Sequence, residues 1–131
     1  MTETLRTGCV SMETLNRYFD PERIQGYCSR CPRYGRFWSC PPFDFSVTGL
    51  LSRFTSCLLV AKQCTAAAGE DMTAAFERER RQLGDMLRHL TAGGDLLPLI
   101  AGHCYACEEC TRPNGLPCRH PDRLCYSLEA L

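Results

Sequence analysis

Short apolar runs and one long amphipathic stretch set out the elements of this chain. Ser56-Cys-Leu-Leu-Val-Ala-Lys-Gln-Cys64 is an apolar run of strand length, and Leu96-Leu-Pro-Leu-Ile-Ala101 is a second. Between them, after a connector from Thr65 to Gly69, Glu70 to Ala92 reads as a helix. Met72, Phe76, Leu83, Leu87 and Leu90 recur at helical spacing and line one face of a 3.6-residue period. Glu77, Arg78, Glu79, Arg80 and Arg81 cover much of the remaining surface. Asp71 is the N-cap this pattern predicts, and Gly93-Gly94 the stop. Strand, helix, strand is a βαβ-like unit whose two strands would lie side by side in one sheet. Ser11 to Phe19 reads as a further short helix, although Ser11-x-x-Thr14 is not a proper capping box. The expected fold class is α/β, with α+β as the alternative, in a single domain over residues 1–131.

Composition changes the picture at one point. A domain of this length can fold on an ordinary core, yet 11 of its 131 residues are cysteine. That share, about 8%, approaches the level at which composition signals a disulfide or metal scaffold. The N-terminal stretch has no apolar run long enough for a signal peptide, and no transmembrane stretch follows, so a cytoplasmic location is expected. A reducing compartment turns dense cysteines toward metal or redox chemistry, and an odd count leaves at least one thiol over in any disulfide scheme. The formal net charge of zero argues against a general nucleic-acid or membrane-surface binder. Lys62 is the only lysine against 14 arginines. Compositional bias explains that as readily as guanidinium groups placed to bind anions.

The cysteines fall into two groups, with Cys9, Cys57, Cys64 and Cys125 scattered. The second group, Cys104-Tyr-Ala-Cys107-Glu-Glu-Cys110 followed by Cys118, reads C-x2-C-x2-C-x7-C. Three cysteines at successive x2 spacing suit the corners of a four-iron cubane, with the fourth ligand arriving from further along. Structural zinc more often takes two x2–4 pairs separated by a longer loop, so zinc stands as the alternative. Glu108 and Glu109 would have to face solvent beside an anionic cluster, with Arg112, Arg119 and Arg123 available to offset the charge. Pro113, Asn114-Gly115 and Pro117 make a turn-rich loop that carries the chain back to Cys118. His103 and His120 flank the group, His120 being the better placed as a ligand.

The first group, Cys28-Ser-Arg-Cys31 followed by Cys40-Pro-Pro, reads C-x2-C-x8-C-P-P. Proline after a ligand cysteine fixes φ and turns the chain away from the metal in a defined direction. Tyr34-Gly35 sits where a turn brings Cys40 back toward Cys28 and Cys31. Three cysteines lack one tetrahedral ligand, which a scattered cysteine, a histidine or an external ligand would supply. Tyr34, Phe37, Trp38, Phe43 and Phe45 read as core, and a core of that kind would also shield a metal group.

Together, "DPERIQGYCSRCPRYGRFWSCPPFDF" and the downstream "AGHCYACEECTRPNGLPCRHPDRLCYSLEA" resemble a family of small cysteine-rich prokaryotic proteins described as predicted metal-binding proteins (domain of unknown function 2284). The likeness runs from about Met12 to Ala130. It implies metal binding, iron–sulfur before zinc, through Cys28, Cys31, Cys40, Cys104, Cys107, Cys110 and Cys118, and no firm activity. Cys125 stands outside the pattern. Such proteins often run further past the Ser-Leu-Glu-Ala string, so a tail that completes a site is either missing or unnecessary.

Three function classes follow. The leading one is an electron-transfer or redox-accessory protein with one or two four-iron clusters and a redox partner protein. The second is a zinc-stabilised binding module, for protein or for nucleic acid, whose phosphates the zero net charge disfavours. The third is thiol–disulfide chemistry at Cys28-x-x-Cys31, which Pro32 and the neighbouring thiols disfavour. No G-x-S-x-G motif and no phosphate-cradling glycine loop is present. An open coordination position at the first group keeps an enzyme among the readings. Seven cysteines are one short of two all-thiolate cubanes, so one site and two both stand at this level. Oligomeric state is not legible.

Overall fold

The computed structural model describes residues 4–121, 125–128, 130 and 131. In chain order its elements are strand β1 (Thr4–Ser11), helices α1 (Met12–Asn16), α2 (Pro21–Ser29) and α3 (Val47–Leu51), strand β2 (Ser56–Gln63), helix α4 (Met72–Thr91), and strands β3 (Leu99–Ile100) and β4 (Tyr126–Ser127). Helices with one small antiparallel and one small parallel sheet fit the α/β class. The chain packs as two compact units, Met1–Phe19 with Phe45–Leu83, and Asp20–Asp44 with Gly84–Leu131.

In the first unit β1 and β2 pair antiparallel, from Thr4↔Gln63 to Ser11↔Ser56. β1 lacks a clean apolar alternation, which is why periodicity did not predict it. Ser11 starts α1 by accepting the Thr14 N–H at 3.1 Å, so a serine cap alone opens this helix. Ser46 does the same for α3 through the Gly49 N–H at 3.0 Å. Asp71 caps α4 as expected, its carboxylate accepting the Ala74 N–H at 3.2 Å. The helix stops before Gly93, which takes a left-handed φ of 74°.

The buried face of α4 corrects the sequence expectation. Met72 and Phe76, placed on the inner face by periodicity, are 66% and 53% exposed, while Ala75, Glu79 and Arg80 are buried. The charges go inside because each has a partner. Lys62 on β2 pairs with Glu79, Arg78 bridges Glu79 and Glu70, and Arg80 meets Glu77 at 2.8 Å. Hydrogen bonding from Lys62 holds the Glu79 carboxyl below its ordinary range, against the opposing pull of burial.

In the second unit Asp20 accepts the Arg23 N–H at 3.3 Å and Pro21 takes the first turn of α2. β3 pairs in parallel with β4, Leu99 opposite Tyr126 and Ile100 opposite Ser127. The strand–helix–strand order stands, but β2 and β3 lie in different sheets, so the expected shared sheet does not form. The second apolar run gives only a two-residue strand. Pro98, just before it, has no N–H to give a ladder.

The interior of this unit is small and sulfur-rich. Ser39 and Cys125 are fully buried, and Cys40, Ile100, Thr111 and Ser127 are nearly so. Most come from the cysteine-bearing segments rather than from an aliphatic core. Among the described residues no helix is long and apolar enough to cross a membrane.

Candidate metal centre

All seven cysteines singled out by spacing belong to the second unit. Cys28 sits in the last turn of α2, and its carbonyl accepts the Cys31 N–H at 3.0 Å. Cys31 in turn accepts from the Tyr34 N–H at 3.0 Å. Gly35, at a left-handed φ of 72°, donates its N–H to the Pro41 carbonyl at 2.8 Å. Only glycine takes that φ without strain, so Tyr34-Gly35 is the turn the sequence suggests. It returns Cys40 toward the first pair. Burial pushes the Cys40 thiol up; the Ser39 hydroxyl lowers it, and the nearby Cys31 and Cys28 raise it further. Those three thiols therefore stand within electrostatic reach of one another.

The second group lines a small pocket that is partly open to solvent. Cys104, Cys107, Cys110 and Cys118 all line it, with Phe37, Trp38, Arg119 and His120. Two backbone amides point at sulfur. The Ala106 N–H donates to Cys104 Sγ at 3.4 Å, and the His120 N–H bonds the Cys118 thiol. Both come from two residues beyond the cysteine, and N–H···S contacts of this kind stabilise a thiolate. Burial pushes the Cys118 thiol up, the His120 amide opposes that shift, and Cys104, Cys107 and Cys110 add to it. Glu108 and Glu109 are exposed, as the sequence reading required. The loop behind them closes through a 3₁₀ turn at Arg112–Asn114 and left-handed Gly115 at φ 70°. Cys104-Tyr105 is tied down from α4. Tyr105 donates to Asp85 Oδ1 at 3.2 Å, and Arg88 lies 4.7 Å over its ring. Gly84 admits the tyrosine, since a Cβ there would run into its hydroxyl.

Three side chains of the first motif and one of the second join the two. Trp38 Nε1 donates to Thr111 Oγ1 at 3.2 Å and to the Leu116 carbonyl at 3.1 Å. The Arg112 guanidinium donates to the Phe37 carbonyl at 2.7 Å and to the Cys40 and Pro42 carbonyls, and lies 5.1 Å over the Trp38 ring. Ser39 Oγ accepts the Cys104 N–H at 2.9 Å. Phe37 stacks on His103 with ring centroids 4.5 Å apart. Arg112, expected to offset cluster charge, is spent on carbonyls instead. Arg119 reaches the Glu109 carbonyl at 3.2 Å, and Arg123 lies outside the described residues.

Ser39 and Thr111 escaped the sequence reading, and Cys125 stands outside its pattern. Ser39 does sit inside the Trp-Ser-Cys-Pro-Pro string, which is the one signal that pointed to it. Cys125 is fully buried near Cys104 and Arg88, and burial pushes its thiol up to about 11. Cys9, Cys57 and Cys64 belong to the first unit.

The donor set fits a metal group by its chemistry rather than by the present spacing of its side chains. Soft thiolates select zinc, copper(I) or iron–sulfur clusters, and four of them ring one cavity with amides aimed at two sulfurs. Among the described residues no three His, Cys, Asp or Glu side chains stand close enough to hold a single metal ion. No curated protein and no solved structure matches the chain. Residues 16–131 do match the model of one family, described as predicted metal-binding protein (DUF2284), and the chain belongs to that family.

Proposed function

We propose that the second unit carries one or two four-iron iron–sulfur clusters and serves as an electron carrier or redox accessory to a partner protein. The observation that supports this most is the ring of Cys104, Cys107, Cys110 and Cys118 around one cavity, with the Ala106 and His120 amides directed at sulfur. Bound there, such a cluster supplies reversible one-electron chemistry.

The chain's own residues set the conditions. The two amides hydrogen-bond the Cys104 and Cys118 sulfurs and orient them. Phe37 and Trp38 wall the cavity and exclude water from that side. Burial keeps Cys40 and Cys118 protonated above the ordinary thiol range, so uptake of metal expels protons and strengthens as pH rises. Arg30, Arg33 and Arg36 are exposed around the first cysteine group and offer an acidic partner a positive surface. The same residues give nucleic acid little purchase, because the chain as a whole carries no basic surplus.

Purification without oxygen, followed by absorbance and assays of iron, sulfide and zinc, tests the proposal. A brown protein with equal iron and sulfide is expected. A colourless protein with stoichiometric zinc would sink it and favour the zinc-stabilised module. Cys107→Ser is expected to remove the metal of the second group; metal content that survives the change refutes the ligand set.

A further inference from the structure

Ser39 stands where the two cysteine groups meet. Its side chain is fully buried. Its Oγ accepts the Cys104 N–H at 2.9 Å and lies 3.7 Å from Cys40 Sγ. Its carbonyl accepts the Ser127 N–H at 3.0 Å, which fixes the backbone around it. A hydroxyl has a single proton and two lone pairs. One lone pair is engaged by an amide that can only donate. In the free thiol either Ser39 Oγ or Cys40 Sγ can donate to the other. Once Cys40 is a metal-bound thiolate, which can only accept, the Ser39 proton is directed to its sulfur.

We propose that Ser39 is a positioning residue, a hydrogen-bond relay from the Cys104 N–H through the Ser39 O–H to the Cys40 sulfur. The relay raises the reduction potential of the centre held by Cys28, Cys31 and Cys40, and it links that centre's charge to the Cys104 loop. The inference rests on the iron–sulfur reading above. An O–H···S bond strengthens as negative charge collects on sulfur, so it favours the reduced state. In a buried site that bond is little screened, and the Cys104 amide polarises the hydroxyl further in the same direction. A serine that merely filled space would affect folding and cluster content but would leave the potential of loaded protein unchanged.

The test begins with the iron and sulfide assay on anaerobically purified wild-type protein. Absence of a cluster overturns the iron–sulfur reading, and the relay's effect on potential falls with it. With the cluster present, redox titration followed by electron paramagnetic resonance compares wild type, Ser39→Ala and Ser39→Thr. The alanine variant is expected to hold its electron about tenfold less favourably, a shift of about 59 mV to more negative potential. The threonine variant, which keeps the hydroxyl, is expected to restore the wild-type value. Should Ser39→Ala fail to take up iron, Ser39→Cys makes the same comparison, since its thiol is a weaker donor of similar shape; a more negative potential is expected there too. A loaded variant without the hydroxyl that keeps the wild-type potential refutes the relay while leaving the iron–sulfur reading intact.

Discussion

Replacing Arg112 with methionine is expected to loosen both cysteine groups at once. The guanidinium gives hydrogen bonds to the carbonyls of Phe37, Cys40 and Pro42 and covers the Trp38 ring. Hydrogen bonds from a charged group contribute about 1.5–3 kcal/mol each. Pro42 is exposed and its carbonyl regains water, so two of the three bonds carry most of the effect. The cation–π contact adds about 0.5–1 kcal/mol. Against this stands the rotamer entropy of holding one arginine still, about 1.5–2 kcal/mol. The balance is a loss of about 1.5–5.5 kcal/mol, with the methionine stem, which retains part of the packing, favouring the lower half. Trp38 is the only tryptophan and sits inside this junction, so its emission reports the junction directly. With a urea slope of about 2 kcal/mol per molar for a small domain, the midpoint should fall by about 1–3 M. Arg112→Lys keeps the charge but not the planar fork, and its midpoint should lie between the two. Unfolding of the metal-free protein, followed by Trp38 emission in urea, is the assay. A methionine variant with the wild-type midpoint and an unshifted emission maximum would refute the claim that Arg112 joins the two motifs.

The anchor of the Cys104 loop gives a second prediction. Gly84→Ala sets a Cβ against the Tyr105 hydroxyl, with Tyr105 Cζ at 3.1 Å, and overpacking of this kind costs about 1–3 kcal/mol. Tyr105→Phe removes the clashing atom, so the double variant should recover part of that loss; thermal unfolding that shows simple additivity would exclude the contact. The third concerns alkaline pH. Burial raises the Cys125 thiol from 9.0 to about 11, so its folded-state value lies above its unfolded one. Its contribution is therefore complete below pH 9 and is lost as pH climbs through 11, at most about 3 kcal/mol in all. Metal-free Cys125→Ala should lack that part of the alkaline decline in a urea series from pH 8 to 11, and an unchanged slope would count against it.

Spacing made the cysteine segments legible because a metal group reads only local geometry. C-x2-C-x2-C and C-x2-C each place their sulfurs within a few residues, whatever the rest of the chain does. The Tyr34-Gly35 turn and the Asn114-Gly115 turn were legible for the same reason, since a left-handed residue announces itself as glycine. The face of α4 was misread because a hydrophobicity pattern scores Glu79 and Arg80 as solvent-facing. It cannot register that Lys62 and Glu77 supply their counter-charges. β3 was overestimated because Pro98 has no N–H for the ladder, and β1 was missed because its exposed residues show no period.

What joins the motifs was not legible. Trp38 meets Thr111 across 73 residues, Arg112 meets Cys40 across 72, and Ser39 meets Cys104 across 65. Each is a single residue with no repeat or spacing to mark it. These bonds also bear on how the unit stays folded. Among the described residues its fully buried side chains are Ser39 and Cys125 rather than large aliphatic ones, so little apolar area is removed from water by them. Polar bonds from Trp38, Ser39 and Arg112 bring the cysteine segments together, while burial, with the neighbouring cysteines adding to it, pushes the Cys40 and Cys118 thiols up. A metal group that takes those thiols as thiolates would add its binding energy directly to folding. On this account metal loading should raise the unfolding temperature of the second unit far more than that of the first, whose β1–β2 ladder and Lys62–Glu79 pair include none of the seven cysteines assigned to metal. Hydrogen exchange resolved by segment, with and without metal, distinguishes the two. Equal protection gained in both units would mean that the metal does not stand in for the missing core.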